Sequence, residues 1–179
     1  MTTLAQVNDA GLRRVLGDRC YSYATLAINA GGAATIKTTG ATSYSVDGIM
    51  YTKAALAAQA ITVTHNLLGL PVSGASASGP GAYVQPASTT AIYIVALNAA
   101  GTVAIVQGGY NGQSVVLPGG IVRTSKGENP DVPVGYAPIG AFKVVLGATT
   151  FTPGTTLLDA ANVTVTYTNL SLLPATTAL

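Results

Sequence analysis

One histidine, His65, one cysteine, Cys20, and six acids, Asp9, Asp18, Asp47, Glu128, Asp131 and Asp159, are all this chain offers for acid–base, nucleophilic or metal chemistry. Their spacing organises little of it. His65 ends an alternating, strand-like run beside Asn66, where a locally hydrogen-bonded ring is the simpler reading. The members of a Ser-His-Asp triad can lie far apart in sequence, but no GxSxG elbow precedes a helix here. One His and one Cys could make a zinc site only through oligomer symmetry or with carboxylates. Among the acids only Glu128 and Asp131, in KGENPDVP, are close together, and neither a DxDxDG calcium loop nor a paired-carboxylate pattern is present. The glycine clusters GGYNG and LPGG lie between strand-like runs rather than at a strand-to-helix junction, and no Gly-Lys-Ser/Thr follows, so no phosphate cradle is expected. Asn162-Val-Thr and Asn169-Leu-Ser match the glycosylation sequon, but they sit in alternating strand sequence and read as chance matches. The expectation is a protein that is not an enzyme and uses no metal and no cofactor. Cys20 then reads as a small apolar residue that can form no internal disulfide, which fits a reducing compartment.

The elements that carry these residues read as mainly β. Residues 3 to 16 form the one fair helix pattern, with Leu4, Val7, Leu12, Val15 and Leu16 near one face, although Gly11 costs about 1 kcal/mol against Ala. From Tyr21 onward, short runs of Val, Ile, Thr and Tyr alternate with Gly, Asn, Asp and Pro, the signature of strands and turns. SYATLAIN and AATIKTT, separated by Gly31 and Gly32, read as a hairpin. TSYSVDGIMYTK reads as another, because Asp47-Gly48 suits the positive φ angles of a two-residue type I′ turn. AIYIVALNAAGTVAIVQG gives strand, turn and strand, apolar enough to sit at the centre of the core. Residues 69 to 88 hold the densest Gly, Ser and Pro and read as a long loop. No repeat of 20 to 50 residues is evident, which argues against a solenoid or propeller. The fold class expected is a compact β-sandwich or open barrel with a short N-terminal helix or arm. It divides into an arm over 1–30 and a β domain over 31–179.

Charged residues are 8% of the chain where roughly 25% is usual, 49% of residues are hydrophobic, and the formal net charge is +2. A surface of Thr, Ser, Asn, Ala and Gly offers little repulsion between molecules, which favours self-association or docking into a larger assembly. The longest apolar windows, such as AIYIVAL, fall far short of the ~18 to 20 residues of a spanning helix, so no membrane partner is expected. The polar start MTTLAQVNDAGLRRVLGDRC lacks the apolar core of a signal peptide, so export by that route is not expected. Three of eight basic residues, Arg13, Arg14 and Arg19, cluster near the start and could face an acidic protein surface. The other five are scattered without interleaved aromatics, so nucleic acid is not the expected partner.

Three pieces taken together, TSYSVDGIMYTKA, LNAAGTVAIVQG and APIGAFKVVLGATTFTPGTTLLDAANVTVTY, resemble small virion structural proteins of tailed bacteriophages. These are of the kind described as head decoration or capsid cement proteins, and sometimes as head fibre or spike components. The likeness rests on Tyr44 to Lys53, Pro138 to Gly140 and Phe151 to Thr156, in that order along the chain, and spans roughly 40 to 170. It implies an assembly role, with the major capsid protein as partner, on the outer capsid surface of a virion assembled in the host cytoplasm. Physical reasoning points the same way, since one small patch must first offset the several kcal/mol lost on association, while an oligomer binding several subunits gains avidity. A homo-oligomer, a trimer first, is therefore expected. Arg13, Arg14, Arg19, Tyr21 and Tyr23 of the arm, and the face carrying Thr164, Thr166 and Thr168, are the expected contact residues. The alternative is a fibre, spike or tail module that binds carbohydrate or a receptor through its nine Tyr and polar loops, a reading weakened by the absence of Trp.

Overall fold

The computed structural model describes residues 17–72, 83–111, 114–116, 122–124 and 129–171, giving the backbone alone for 114–116 and 122–124. The expected helix over 3 to 16, and with it Arg13 and Arg14, lies outside the described residues, as do positions 73–82 of the long loop. Among the described residues every regular element is a strand, in agreement with a mainly β sandwich. The strands are β1 (Arg19–Cys20), β2 (Leu26–Ile28), β3 (Thr35–Thr38), β4 (Thr42–Val46), β5 (Ile49–Lys53), β6 (Gln59–Ala60) and β7 (Val63–His65). There follow β8 (Thr90–Asn98), β9 (Val103–Gln107), β10 (Ser114–Val116), β11 (Val122–Thr124), β12 (Tyr136–Leu146) and β13 (Val163–Asn169).

A five-stranded sheet in the order β13-β12-β8-β9-β7 is the backbone of the molecule, and the three-stranded sheets β1-β4-β5 and β2-β3-β6 pack with it. β10 and β11 form a separate two-stranded ladder. The long antiparallel pairings β12–β13 and β12–β8 carry the larger sheet, and its register slips once, between Pro138 and Gly140 of β12. The three hairpins read from the sequence are present as β2–β3, β4–β5 and β8–β9. In β4–β5, Asp47 and Gly48 have φ of 50° and 75°, the two positive angles that a type I′ turn demands, and Tyr44 stacks on Tyr51 opposite it at 5.7 Å. After β12, Thr155 N–H donates to Thr152 O across Pro153 and Gly154 at 3.0 Å, with Gly154 at φ 76°, so the FTPGTT word is a tight turn.

The main core lies on one face of the larger sheet. Tyr93 of β8 stacks on Phe142 of β12 with ring centres 4.9 Å apart, and Phe151 meets Tyr93 edge-on at 5.9 Å. Ile36, Ile61, Val95, Leu97, Ile105, Ile139 and Val144 fill the space around them. With no Trp and two Phe, the chain builds its aromatic centre from both Phe and a buried Tyr. The Tyr93 hydroxyl must then be accommodated, because a buried donor without a partner costs about 1–3 kcal/mol. Gln85 and Gln107 meet that need: Tyr93 Oη donates to Gln85 Oε1 at 3.3 Å and accepts from Gln107 Nε2 at 3.1 Å. Gln85 Nε2 in turn donates to the Thr89 and Val144 carbonyls at 3.1 and 3.0 Å. Burial holds the Tyr93 hydroxyl well above its ordinary pKa, so it stays protonated as the donor this network requires.

Candidate interaction face

The side of the larger sheet turned away from the main core is where the exposed, chemically plain residues gather. Strand alternation puts Phe142, Val144 and Leu146 of β12 and Val163, Val165 and Tyr167 of β13 inward, and the residues between them outward. Thr164, Thr166 and Thr168 are exposed and form the ladder expected from VTVTYTN. Register extends it into rows across the sheet: Thr168 beside Ala141 beside Ile94 beside Val106, then Thr166 beside Lys143 beside Ile92, then Thr164 beside Val145.

A groove of about 360 Å³ opens where the first two rows meet, with Ile92, Ile94 and Ala141 as its floor and Thr166, Thr168 and Leu170 along one side. The dent follows from residue size, because Ala141 stands between longer neighbours. Lys143, exposed at the end nearest β13's start, is the charged side chain among its described lining residues. Toward β9 the same face closes over, with Ile94, Ala96 and Val106 buried under Tyr136. Sequence reasoning missed the groove because it assigned the whole apolar run AIYIVALN to the core. The signal available was Lys143 in AFKVV: a charge at that position must face out, and every second residue of β12 and its pairing strand follows it.

The first cluster of expected contact residues is partly in view. Arg19 is exposed on β1, Tyr21 Oη lies 3.1 Å from Ser45 Oγ, and Tyr23 is 45% exposed. An isolated parallel bridge between Cys20 and Ser171 sets β1 alongside the end of β13. The Arg19–Tyr21 segment and the threonine strand, far apart in sequence, are thereby neighbours in space.

Among the described residues, Cys20, His65 and Asp159 are held in structural contacts. Cys20 is buried, its Sγ donates to the Ser22 carbonyl at 3.1 Å, and burial pushes its thiol pKa up, away from a reactive thiolate. His65 is buried at the end of β7, with Nδ1 2.9 Å from Thr64 Oγ1 and its ring edge-on to Tyr136 at 5.3 Å. Desolvation lowers its pKa, so it sits as a neutral ring with a local partner, as its sequence position suggested. No group of three His, Cys, Asp or Glu able to hold a metal occurs among the described residues. Asp159 Oδ2 accepts from Gly32 N–H at 2.6 Å and ties the β2–β3 turn to the connection before β13. No helix among the described residues is long and apolar enough to cross a membrane.

No protein-family model, no curated protein and no solved structure matches this chain.

Proposed function

We propose that this protein is a structural component of a tailed-phage virion that decorates the head and stabilises it by bridging neighbouring major capsid subunits. The observation that carries the reading is the outer face of β12 and β13: an exposed threonine ladder around an apolar groove, with Lys143 as the one charge among its described lining residues, on an edge strand of the sheet. Such a face gains by being covered, since threonine hydroxyls and an edge backbone bond readily to another protein surface and no cluster of charges must be desolvated. Arg19 beside the end of the same strand supplies a cation at the rim. Assembly as a homo-oligomer, a trimer first, lets several weak faces act together. A carbohydrate-binding fibre module has less support, because eight of the nine tyrosines are buried or half-buried and Tyr23 alone is exposed.

The test is titration of purified protein onto expanded empty heads of the virus that carries it. Saturable binding and a rise in the temperature at which the heads open are expected, because a ligand that binds only the assembled shell stabilises it. Absence of both would refute the reading.

A further inference from the structure

We infer that the free edge of β13 pairs with the same strand of a second copy of this chain, antiparallel about a two-fold axis at Thr166. The two edges of the five-stranded sheet are built differently. At one, β7 is three residues long and its register shifts between Val63 and His65. The returning chain also covers it, through the bond from Val72 N–H to the Thr64 carbonyl at 2.9 Å and the His65–Pro71 bridge. Short, irregular or covered strands are how a sheet protects its edges. β13 at the other edge has none of these devices: VTVTYTN runs seven residues in unbroken register, without Pro or Lys. Its even-numbered residues turn their backbone groups toward β12, as the bonds from Gly147 N–H to Asn162 O at 2.8 Å and from Leu170 N–H to Ile139 O at 3.3 Å mark at its two ends. The N–H and C=O groups of Val165 and Tyr167 therefore point off the sheet, where no strand meets them among the described residues. Both side chains turn inward yet are only half-buried, in agreement with an open flank.

The strand fits a copy of itself. With Thr166 on the axis, Val165 lies opposite the second copy's Tyr167 and Tyr167 opposite its Val165, so the free backbone donors and acceptors of one chain meet those of the other. The same register sets a β-branched side chain against an aromatic one on the inner face. On the outer face it sets Thr166 against Thr166 and Thr164 against Thr168, and all of these are favourable cross-strand pairs. β13 itself carries no charge, and Lys143, level with Thr166, would stand three strand spacings from its counterpart, about 14 Å, beyond the Debye length of about 8 Å. The pairing stops at Thr168 because Asn169 is already engaged, its Oδ1 accepting from Leu26 N–H at 3.0 Å. A contact this short is small beside the ~1,200 Å² of a stable interface, so the dimer should form and dissociate with concentration. It lies in the plane of the sheet, and so leaves the outer face uncovered and brings two threonine ladders side by side. It does not depend on the phage reading, since nothing in it requires a capsid, and it is a two-fold contact distinct from the trimer proposed above.

Thr166→Cys in a Cys20→Ala background tests the register, because facing residues of a non-hydrogen-bonded antiparallel pair have Cα atoms about 4.5 Å apart, within reach of a disulfide. Oxidation of the full chain should give a cross-linked dimer, and at least tenfold less of it from Thr164→Cys in the same background, where the two thiols stand four residues out of register. No dimer from Thr166→Cys, or equal yields from the two, would overturn the inference. Sedimentation equilibrium with Cys20 left in place supplies a second measurement, in which the parent should pass from monomer to dimer as concentration rises. Thr164→Glu with Thr168→Glu sets like charges opposite each other across the axis and should weaken the dimer at least tenfold. Thr164→Lys with Thr168→Glu sets opposite charges there and should restore it. Equal dissociation constants for the two folded double variants, or a parent that stays monomeric, would also overturn the inference. Binding to empty heads is measured separately, so failure of this pairing and failure of the proposed function are told apart.

Discussion

Phe142 and Lys143 are adjacent in one strand and belong to different worlds. Phe142 is fully buried between Tyr93 and Tyr167, while Lys143 is exposed beside Thr166 on the opposite face. The inner face of β12 and β13 is tightly specified, with stacked rings and a hydrogen-bonded glutamine pair around a tyrosine. The outer face is repetitive, small and polar, and its groove is bordered by residues that could change without disturbing the core. The contrast teaches that the two sides of the same strands are built differently, the inner one for stability and the outer one for the covering role proposed above. Substitutions can test that division one face at a time.

The largest effect is expected at Phe142→Ala, which removes a ring from the centre of the stack and should cost about 3–5 kcal/mol in urea denaturation. Next comes Gln85→Ala. Its side chain satisfies Tyr93 Oη and the Thr89 and Val144 carbonyls at once, so truncation leaves buried groups without partners. A loss of about 1–3 kcal/mol is expected in the same measurement. A cost below that range would mean the network is expendable and the inner face less exacting than its geometry implies.

Tyr167→Phe should act in the other direction. The Tyr167 hydroxyl is buried without a hydrogen-bond partner among the described residues, so its removal should leave stability unchanged or raise it by up to about 1 kcal/mol. Burial, and then the nearby Asp159 charge, push its pKa up to about 12 from the ordinary tyrosine value near 10. The fold therefore prefers the protonated hydroxyl. This contribution to stability is fully present below about pH 10, and is lost as pH rises toward 12, where the unfolded chain gives up its proton first. The variant should show a shallower fall of stability across that window. Tyr93, raised for the same reason, keeps part of the slope.

Much of this architecture was legible in the sequence wherever local chemistry decides the outcome. Asp47-Gly48 announced its hairpin because few residue pairs accept two positive φ angles, and VTVTYTN announced two faces because strand alternation leaves no choice. The inner polar network was not legible: Gln85 lies in a Pro-rich stretch and Gln107 at a strand end, and only the sheet register brings both to Tyr93. The groove was hidden for a related reason. Its walls come from three strands, so Ile92 and Ala141 reveal an outward direction only once Lys143 fixes which way β12 faces. The pairing of β1 with the end of β13 is a contact of residues some 150 positions apart, and no local pattern encodes it.

The smallest effect on stability, and the sharpest test of the division, belongs to Thr166→Lys. Thr166 is exposed, its cross-strand neighbour Lys143 is also exposed, and solvent screens the added charge. The stability change should stay within about 0.5 kcal/mol, the range usual for exposed positions. Two like charges directly opposite each other would still make the outer face costly to desolvate against another protein. Binding to empty heads should therefore fall at least tenfold while the urea midpoint barely moves. Unchanged binding by a fully folded Thr166→Lys protein would leave the threonine ladder without a recognition role and shift attention to the Arg19 rim.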